Sequence, residues 1–125
     1  MHCKRFPRIV THHYYDCVHW VSAECAYKAV RELHATTGLY CGPTTGAAFH
    51  VARWYAETHK NEEIVFISPD PGHRYASTIY NDDWLKNNNM DLSQDFSKAV
   101  CVEKLSDANE HWAYFNWNRK TYQEV

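Results

Sequence analysis

Apolar and polar positions along the chain change period several times, and each change marks an element. Residues 18–22, Val-His-Trp-Val-Ser, alternate apolar and polar and are rich in strand formers, which predicts a short strand. Ser22 offers an N-cap hydroxyl to the helix that follows. Ala26, Ala29, Val30 and Leu33 recur at helical spacing as its apolar face, and Gly38 is its expected stop, because glycine takes the left-handed C-cap cheaply. A brief extended run, Leu39-Tyr40-Cys41, leads into a Gly42-Pro43 turn. Thr44, Thr45, Gly46, Ala47 and Ala48 then open a second helix, with Ala47, Ala48, Val51, Ala52 and Tyr55 along one face. The small residues at its start suit close packing on a backbone or a ligand. After a polar turn at Asn61, the run Ile64-Val65-Phe66-Ile67 is continuously apolar, as in a strand buried on both faces of a parallel sheet. Ser68-Pro69-Asp70-Pro71-Gly72 ends it in a turn cluster. A third helix is predicted from about Arg74 to Leu85, with Tyr75, Ile79 and Trp84 as buried residues.

Lys86 and three asparagines then break the pattern. Beyond them periodicity is weak, and the aromatic group Trp112, Tyr114, Phe115 and Trp117 is expected to dock the tail. Strand, helix, helix, strand, helix and tail make an α/β order. Three stretches follow: a lead-in over 1–17, an α/β portion over 18–85, and a polar and aromatic extension over 86–125. Two strands are too few for an independent sheet, and a strand apolar on both faces expects neighbours on both sides. The chain is therefore expected to be incomplete.

Composition narrows the function classes. A net charge of -2 leaves no electrostatic footprint for nucleic acid, and Lys4, Arg5 and Arg8 are too sparse to change that. No apolar run approaches the ~20 residues that span a bilayer, and residues 1–10 lack the apolar stretch of a secretory signal. Cys3, Cys17, Cys25, Cys41 and Cys101 are an odd, irregularly spaced set without CxxC, which points to free thiols and a cytoplasmic protein. Of nine histidines, His12, His13 and His19 lie near Cys17. Metal sites favour ligand pairs held at fixed turn or helix offsets, and this group has none, so no metal site is expected.

Chemistry concentrates in two turns, Gly42–Gly46 and Pro69–Tyr75. In a parallel α/β layer, ligands sit beyond the carboxyl ends of strands and near helix N-termini. Both turns occupy such positions. Taken singly, Thr44 or Thr45 reads equally well as a helix cap, and Pro-Asp-Pro-Gly as a plain turn. No Gly-Lys-Ser/Thr follows, so the first is not a Walker loop.

Together the turns carry a family likeness. Gly42-Pro43-Thr44-Thr45-Gly46-Ala47, a helix, an apolar strand, Pro69-Asp70-Pro71-Gly72-His73-Arg74-Tyr75 and then Tyr80-Asn81-Asp82-Asp83-Trp84-Leu85 follow one another in order. This stretch resembles the C-terminal end of the cysteine synthase and cystathionine β-synthase group, the fold type II pyridoxal-phosphate enzymes of amino-acid biosynthesis. Pro71 and His73 replace the commoner Ser and Glu. The resemblance implies a partial three-layer α/β fold, a parallel sheet with flanking helices. It implies lyase or transferase chemistry, β-elimination or β-replacement on an amino-acid substrate, and pyridoxal phosphate as cofactor. Thr44 would hydrogen-bond the pyridine nitrogen, Gly42, Thr45 and Gly46 would shape the turn, and Pro69 and Asp70 would border the ring. Arg74 and Tyr75 would be scaffold.

In that family the Schiff-base lysine, the substrate-carboxylate loop and the phosphate loop lie upstream of the matched region, and none of the seven lysines here has such a context. The resemblance therefore implies a truncated or split enzyme with no catalytic residue of its own. Its partner would be a lysine-bearing N-terminal half or a second copy. The competing readings are a non-catalytic interaction module derived from the fold and a metal or thiol-redox protein; the latter has no motif behind it.

Overall fold

The computed structural model describes residues 10–125; Cys3, Lys4, Arg5 and Arg8, and most of the lead-in stretch read from the sequence, lie outside them. Strand β1 (Cys17–Val21) gives way at Ser22, whose hydroxyl accepts a hydrogen bond from the Cys25 amide at 3.3 Å and so caps helix α1 (Ala23–Thr37). The apolar face read from the sequence is the buried one: Ala26, Ala29, Val30 and Leu33, with Cys25 beside them. At the far end Gly38 takes φ 77°, and its N–H donates to the His34 carbonyl, which closes the helix as expected.

Helix α2 (Pro43–Thr58) starts with Pro43 at its first turn, where the missing N–H costs nothing. The structure decides which of its faces is buried. The buried residues of α2 are Thr45, Gly46 and His50, whereas Ala47, Ala48, Val51 and Ala52 are half-buried and Tyr55 is exposed. The reason lies at Gly46. A Cβ there would fall 2.1 Å from the Ala26 carbonyl oxygen and 2.8 Å from the Val30 Cβ, so α1 crosses α2 over the glycine itself. The alanine stripe is turned away from that crossing.

The sheet also differs from the expected parallel arrangement. It has three strands in the order β1-β3-β2, where β2 is Val100–Cys101 and β3 is Trp112–Asn116. β1 runs antiparallel to β3, pairing His19 with Tyr114, and only β2 is parallel to it. The central strand thus comes from the aromatic tail. Trp112, Ala113 and Trp117 are buried there, and the Trp117 indole donates to the Lys120 carbonyl at 2.6 Å. This is a small α/β unit with a mixed sheet and packed helices.

Residues 64–67 are not a strand. They form no backbone hydrogen bond with any described residue, and Val65 and Ile67 are 87% and 77% exposed. The tail has paired with β1 instead, which leaves this apolar segment without a neighbour on either edge among the described residues. The third helix is likewise shorter than expected. A 3-10 turn (Gly72–Tyr75) is followed by further turns and then α3 (Asp82–Asn87). Asn81 starts α3 by accepting from the Trp84 amide at 3.0 Å. Before it, the Tyr75 and Tyr80 hydroxyls are tethered to Asp70 and to the Cys41 carbonyl, which holds the chain off a helical path. Ile79 is buried against Val30 and Cys41, with Tyr75 and Trp84 half-buried around them.

Candidate functional site

The two turns singled out in the sequence, Gly42–Gly46 and Pro69–Tyr75, meet in space. A short antiparallel bridge joins them: the Gly42 N–H donates to the Asp70 carbonyl at 3.0 Å, and the Gly72 N–H to the Tyr40 carbonyl at 2.9 Å. Gly72 is needed for that approach, since a Cβ there would sit 2.8 Å from the Tyr40 ring. Ser68 strengthens the join from the side. Its Oγ lies 2.9 Å from the Thr45 Oγ1 and donates to the Cys41 Sγ at 3.4 Å.

The two threonines consequently have different surroundings. Thr45 is fully buried and held by Ser68. Thr44 is exposed, and its hydroxyl makes no hydrogen bond with any described residue. It lies on the rim of a shallow apolar groove of about 480 Å³, walled by Ala47, Ala48 and Val51 of α2, by His19 of β1 and by Val65 and Phe66. The face of small residues read from the sequence therefore lines this groove.

Asp70 occupies the mouth of α2. A Cβ built on Gly42, the N-cap residue, would fall 2.4 Å from Asp70 Oδ2 and 2.5 Å from Oδ1, so the carboxylate fills the space that the cap's own side chain would take. Oδ2 accepts from the Tyr75 hydroxyl at 2.6 Å, and this bond, with burial and the negative charge behind it, raises the phenol's pKa. Oδ1 is buried and has no hydrogen-bond partner among the described residues. Pro69, exposed, leads into this carboxylate directly after Ser68.

His19 was not among the residues singled out as chemistry-bearing in the two turns, yet it borders the same groove. Its Nδ1 accepts from the Trp112 indole at 3.1 Å, Nε2 lies 3.4 Å from Cys17 Sγ, and burial lowers its pKa to about 4. Nothing in the local sequence could have placed it there, because β1 reaches the groove through its pairing with the distant β3. Among the described residues no group of three His, Cys, Asp or Glu side chains is arranged to hold a metal ion. Cys25, the buried thiol of α1, is pushed up to about 11 by burial and is a poor nucleophile. No helix of the described residues is long and apolar enough to cross a membrane.

Comparison with known proteins adds what geometry alone cannot. No family model matches the chain, and no solved structure does. Curated proteins do match. The chain is 28% identical over 88 residues to a cystathionine beta-synthase of Saccharomyces cerevisiae, across 67% of this chain. It is 36% identical over 73 residues to a probable cysteine synthase of Bacillus subtilis, across 58% of this chain. A third relative is an N-(2-amino-2-carboxyethyl)-L-glutamate synthase of Cupriavidus metallidurans, 31% identical over 85 residues and 65% of this chain. The matches span 17%, 24% and 25% of the lengths of those three proteins.

Proposed function

From the premise that this chain carries part of the cysteine synthase and cystathionine β-synthase family, we propose that it forms the ring-nitrogen wall of a pyridoxal-phosphate site in a β-elimination or β-replacement enzyme. The observation that carries the reading is the division of labour between the two threonines. Thr45 is spent on Ser68, whereas the exposed Thr44 hydroxyl stands at the rim of an apolar groove with no protein partner among the described residues. The residues fit one end of the cofactor better than the other. A helix N-terminus ordinarily attracts an anion, but Asp70 already places a carboxylate at that of α2. The groove accepts a flat apolar ring, and the Thr44 hydroxyl can donate to its nitrogen.

When bound, the cofactor supplies an electron sink for carbanion chemistry at an amino acid. Thr44 tunes that sink. A neutral hydroxyl cannot keep the ring nitrogen protonated as a carboxylate bonded to it would, which suits loss or exchange of a β-substituent. Gly42 and Gly46 let the turn lie against Asp70 and α1. Pro69 and Asp70 border the ring.

A lysine to anchor the cofactor and a cradle for its phosphate must come from a further segment, in the same polypeptide or in another. Segment 64–67 supports this: it is apolar and unpaired among the described residues, and Ile64, Val65 and Phe66 line the same groove as Thr44. A segment that paired with it would also close the site. The test is borohydride reduction of the protein purified from its own cells, followed by peptide mapping. We expect a pyridoxyl-lysine outside the seven lysines of this sequence. A pyridoxyl group on one of those seven, or none on the protein and its co-purifying partners, would overturn the reading.

A further inference from the structure

We infer that the cleft between α1, α2 and residues 95–97 of the tail binds a small zwitterion, an α-amino acid, with its carboxylate on Lys28 and Arg53 and its ammonium on Glu32 and Asp95. The cleft lies on the opposite face of α2 from the groove beside Thr44, because His50 and Arg53 fall about half a turn away from Ala48 and Val51. It therefore owes nothing to the cofactor reading.

The floor of the cleft is buried and the rim is charged. Cys25 and Ala29 of α1, His50 of α2 and Phe96 of the tail form the floor. The Phe96 carbonyl can only accept, so His50 donates to it from Nε2 at 2.9 Å and ties the tail to α2. His50 Nδ1 is left with one contact among the described residues, Arg53 Nη2 at 3.5 Å. Burial lowers the His50 pKa, so the imidazole adds no charge to the floor. The rim then carries two cations, Lys28 and Arg53, and two carboxylates, Glu32 and Asp95. Arg53 Nη1 lies 3.0 Å from Glu32, but both side chains are about two-fifths exposed, and such a pair contributes little, so a ligand can recruit either member cheaply. Lys28 spends one N–H on the Gln94 carbonyl at 2.9 Å and keeps two for a ligand. Bonds from the Ser97 hydroxyl and amide, aided by the charges of Lys28 and Lys98, hold the Asp95 carboxyl below the usual range and so ionised.

Size and charge together select the ligand. The cavity holds about 210 Å³, under the ~300 Å³ at which sites for drug-sized molecules begin, so it admits a molecule of few atoms. A simple anion would gain Lys28 and Arg53 but face Glu32 and Asp95, and a simple cation would meet the converse. A molecule carrying adjacent charges of both signs satisfies the whole rim, and a short apolar side chain on it would rest on Ala29 and Phe96.

The experiment titrates the full chain with L-alanine, which carries both charges and no β-substituent to lose, and in parallel with propionate and ethylamine, which carry one charge each. Amide shifts in the nuclear magnetic resonance spectrum report where each binds. L-Alanine should move the amides of Cys25, Arg53 and Ser97 along a saturating curve with a Kd of about 10 mM or tighter, ordinary for a ligand of so few atoms, and leave those of Thr44 and Val51 in place. Propionate and ethylamine should bind at least about tenfold more weakly, and Lys28→Gln and Asp95→Asn should each weaken L-alanine by about tenfold, the loss of one charge-assisted bond. The new glutamine can still donate to the Gln94 carbonyl and the new asparagine can still accept from the Ser97 amide, so both folds should persist; if one variant does not fold, the other decides. No saturable shift, equal binding of a singly charged analogue, unchanged affinity in the folded variants, or shifts confined to the groove beside Thr44 would each overturn the assignment. None of these outcomes bears on the peptide map, because a pyridoxyl-lysine can be found with this cleft empty, and the reverse.

Discussion

Replacing Gly46 with alanine probes the contact on which the whole site is built. The new methyl carbon would lie 2.1 Å from the Ala26 carbonyl oxygen, 2.8 Å from Val30 Cβ and 2.9 Å from Val30 N. Backbone on both sides of the crossing cannot step aside like a flexible side chain, so α1 and α2 must separate by roughly 1 Å. A gap of 0.5–1 Å already forfeits about a quarter to a half of each dispersion contact, and Val30, fully buried at that crossing, has the most to lose. Overpacking of this kind costs ~1–3 kcal/mol, and backbone contact places it at the upper end. Against that, alanine gains about 1 kcal/mol over glycine inside a helix. The expected net loss is about 2 kcal/mol, or a fall of about 10 °C in melting midpoint. Urea unfolding followed by circular dichroism reads it. Gly38→Ala is the contrast: it meets nothing within 4 Å, but its φ of 77° costs a side chain about 1 kcal/mol. If Gly46→Ala proves as stable as wild type, the helices do not cross over Gly46, and Thr44 and Thr45 need not face as described.

Three further outcomes follow from the packing and the charges. Trp112→Ala should cost ~3–5 kcal/mol by urea titration, because the residue is buried in the central strand; a loss under 1 kcal/mol would mean the tail is only loosely applied. His19 is neutral in the fold down to about pH 4, because burial disfavours its charged form, whereas the unfolded chain takes that proton near 6.5. The unfolded state then binds more protons between those values, so stability is full above about pH 6.5 and falls as pH drops toward 4, by at most ~3 kcal/mol. His50, lowered chiefly by burial, adds in the same direction. Urea midpoints at pH 7 and pH 5 check this, and His19→Gln should flatten the slope. Val65→Lys and Ile67→Lys should leave the chain's own stability within ~0.5 kcal/mol, since both side chains are largely exposed. They should abolish co-purification with a lysine-bearing partner if that partner docks on segment 64–67.

Much of the local structure was legible from residues alone. Ser22 and Gly38 bound α1 because a hydroxyl cap and a left-handed glycine act within one turn of chain, and Ala26, Ala29, Val30 and Leu33 fix its buried face by period. The order of the two turns around Gly42 and Asp70 carried the resemblance read from the sequence. What the sequence could not settle were the choices made between distant segments. Ile64-Val65-Phe66-Ile67 has the composition of a buried strand, but a strand exists only with a partner, and β1 pairs with the tail. The apolar period of α2 identified a stripe but not its neighbour. Gly46, lacking a side chain, drew α1 to the other face and left the stripe lining the groove. The placement of Asp70 is of the same kind. Its carboxylate fills the space of a side chain that Gly42 lacks, across 28 residues of chain, which is a relation between two backbones and not a property of either turn. Capping and periodicity are local and survive in the sequence; pairing and close approach depend on which surfaces meet, and only the tertiary structure decides that.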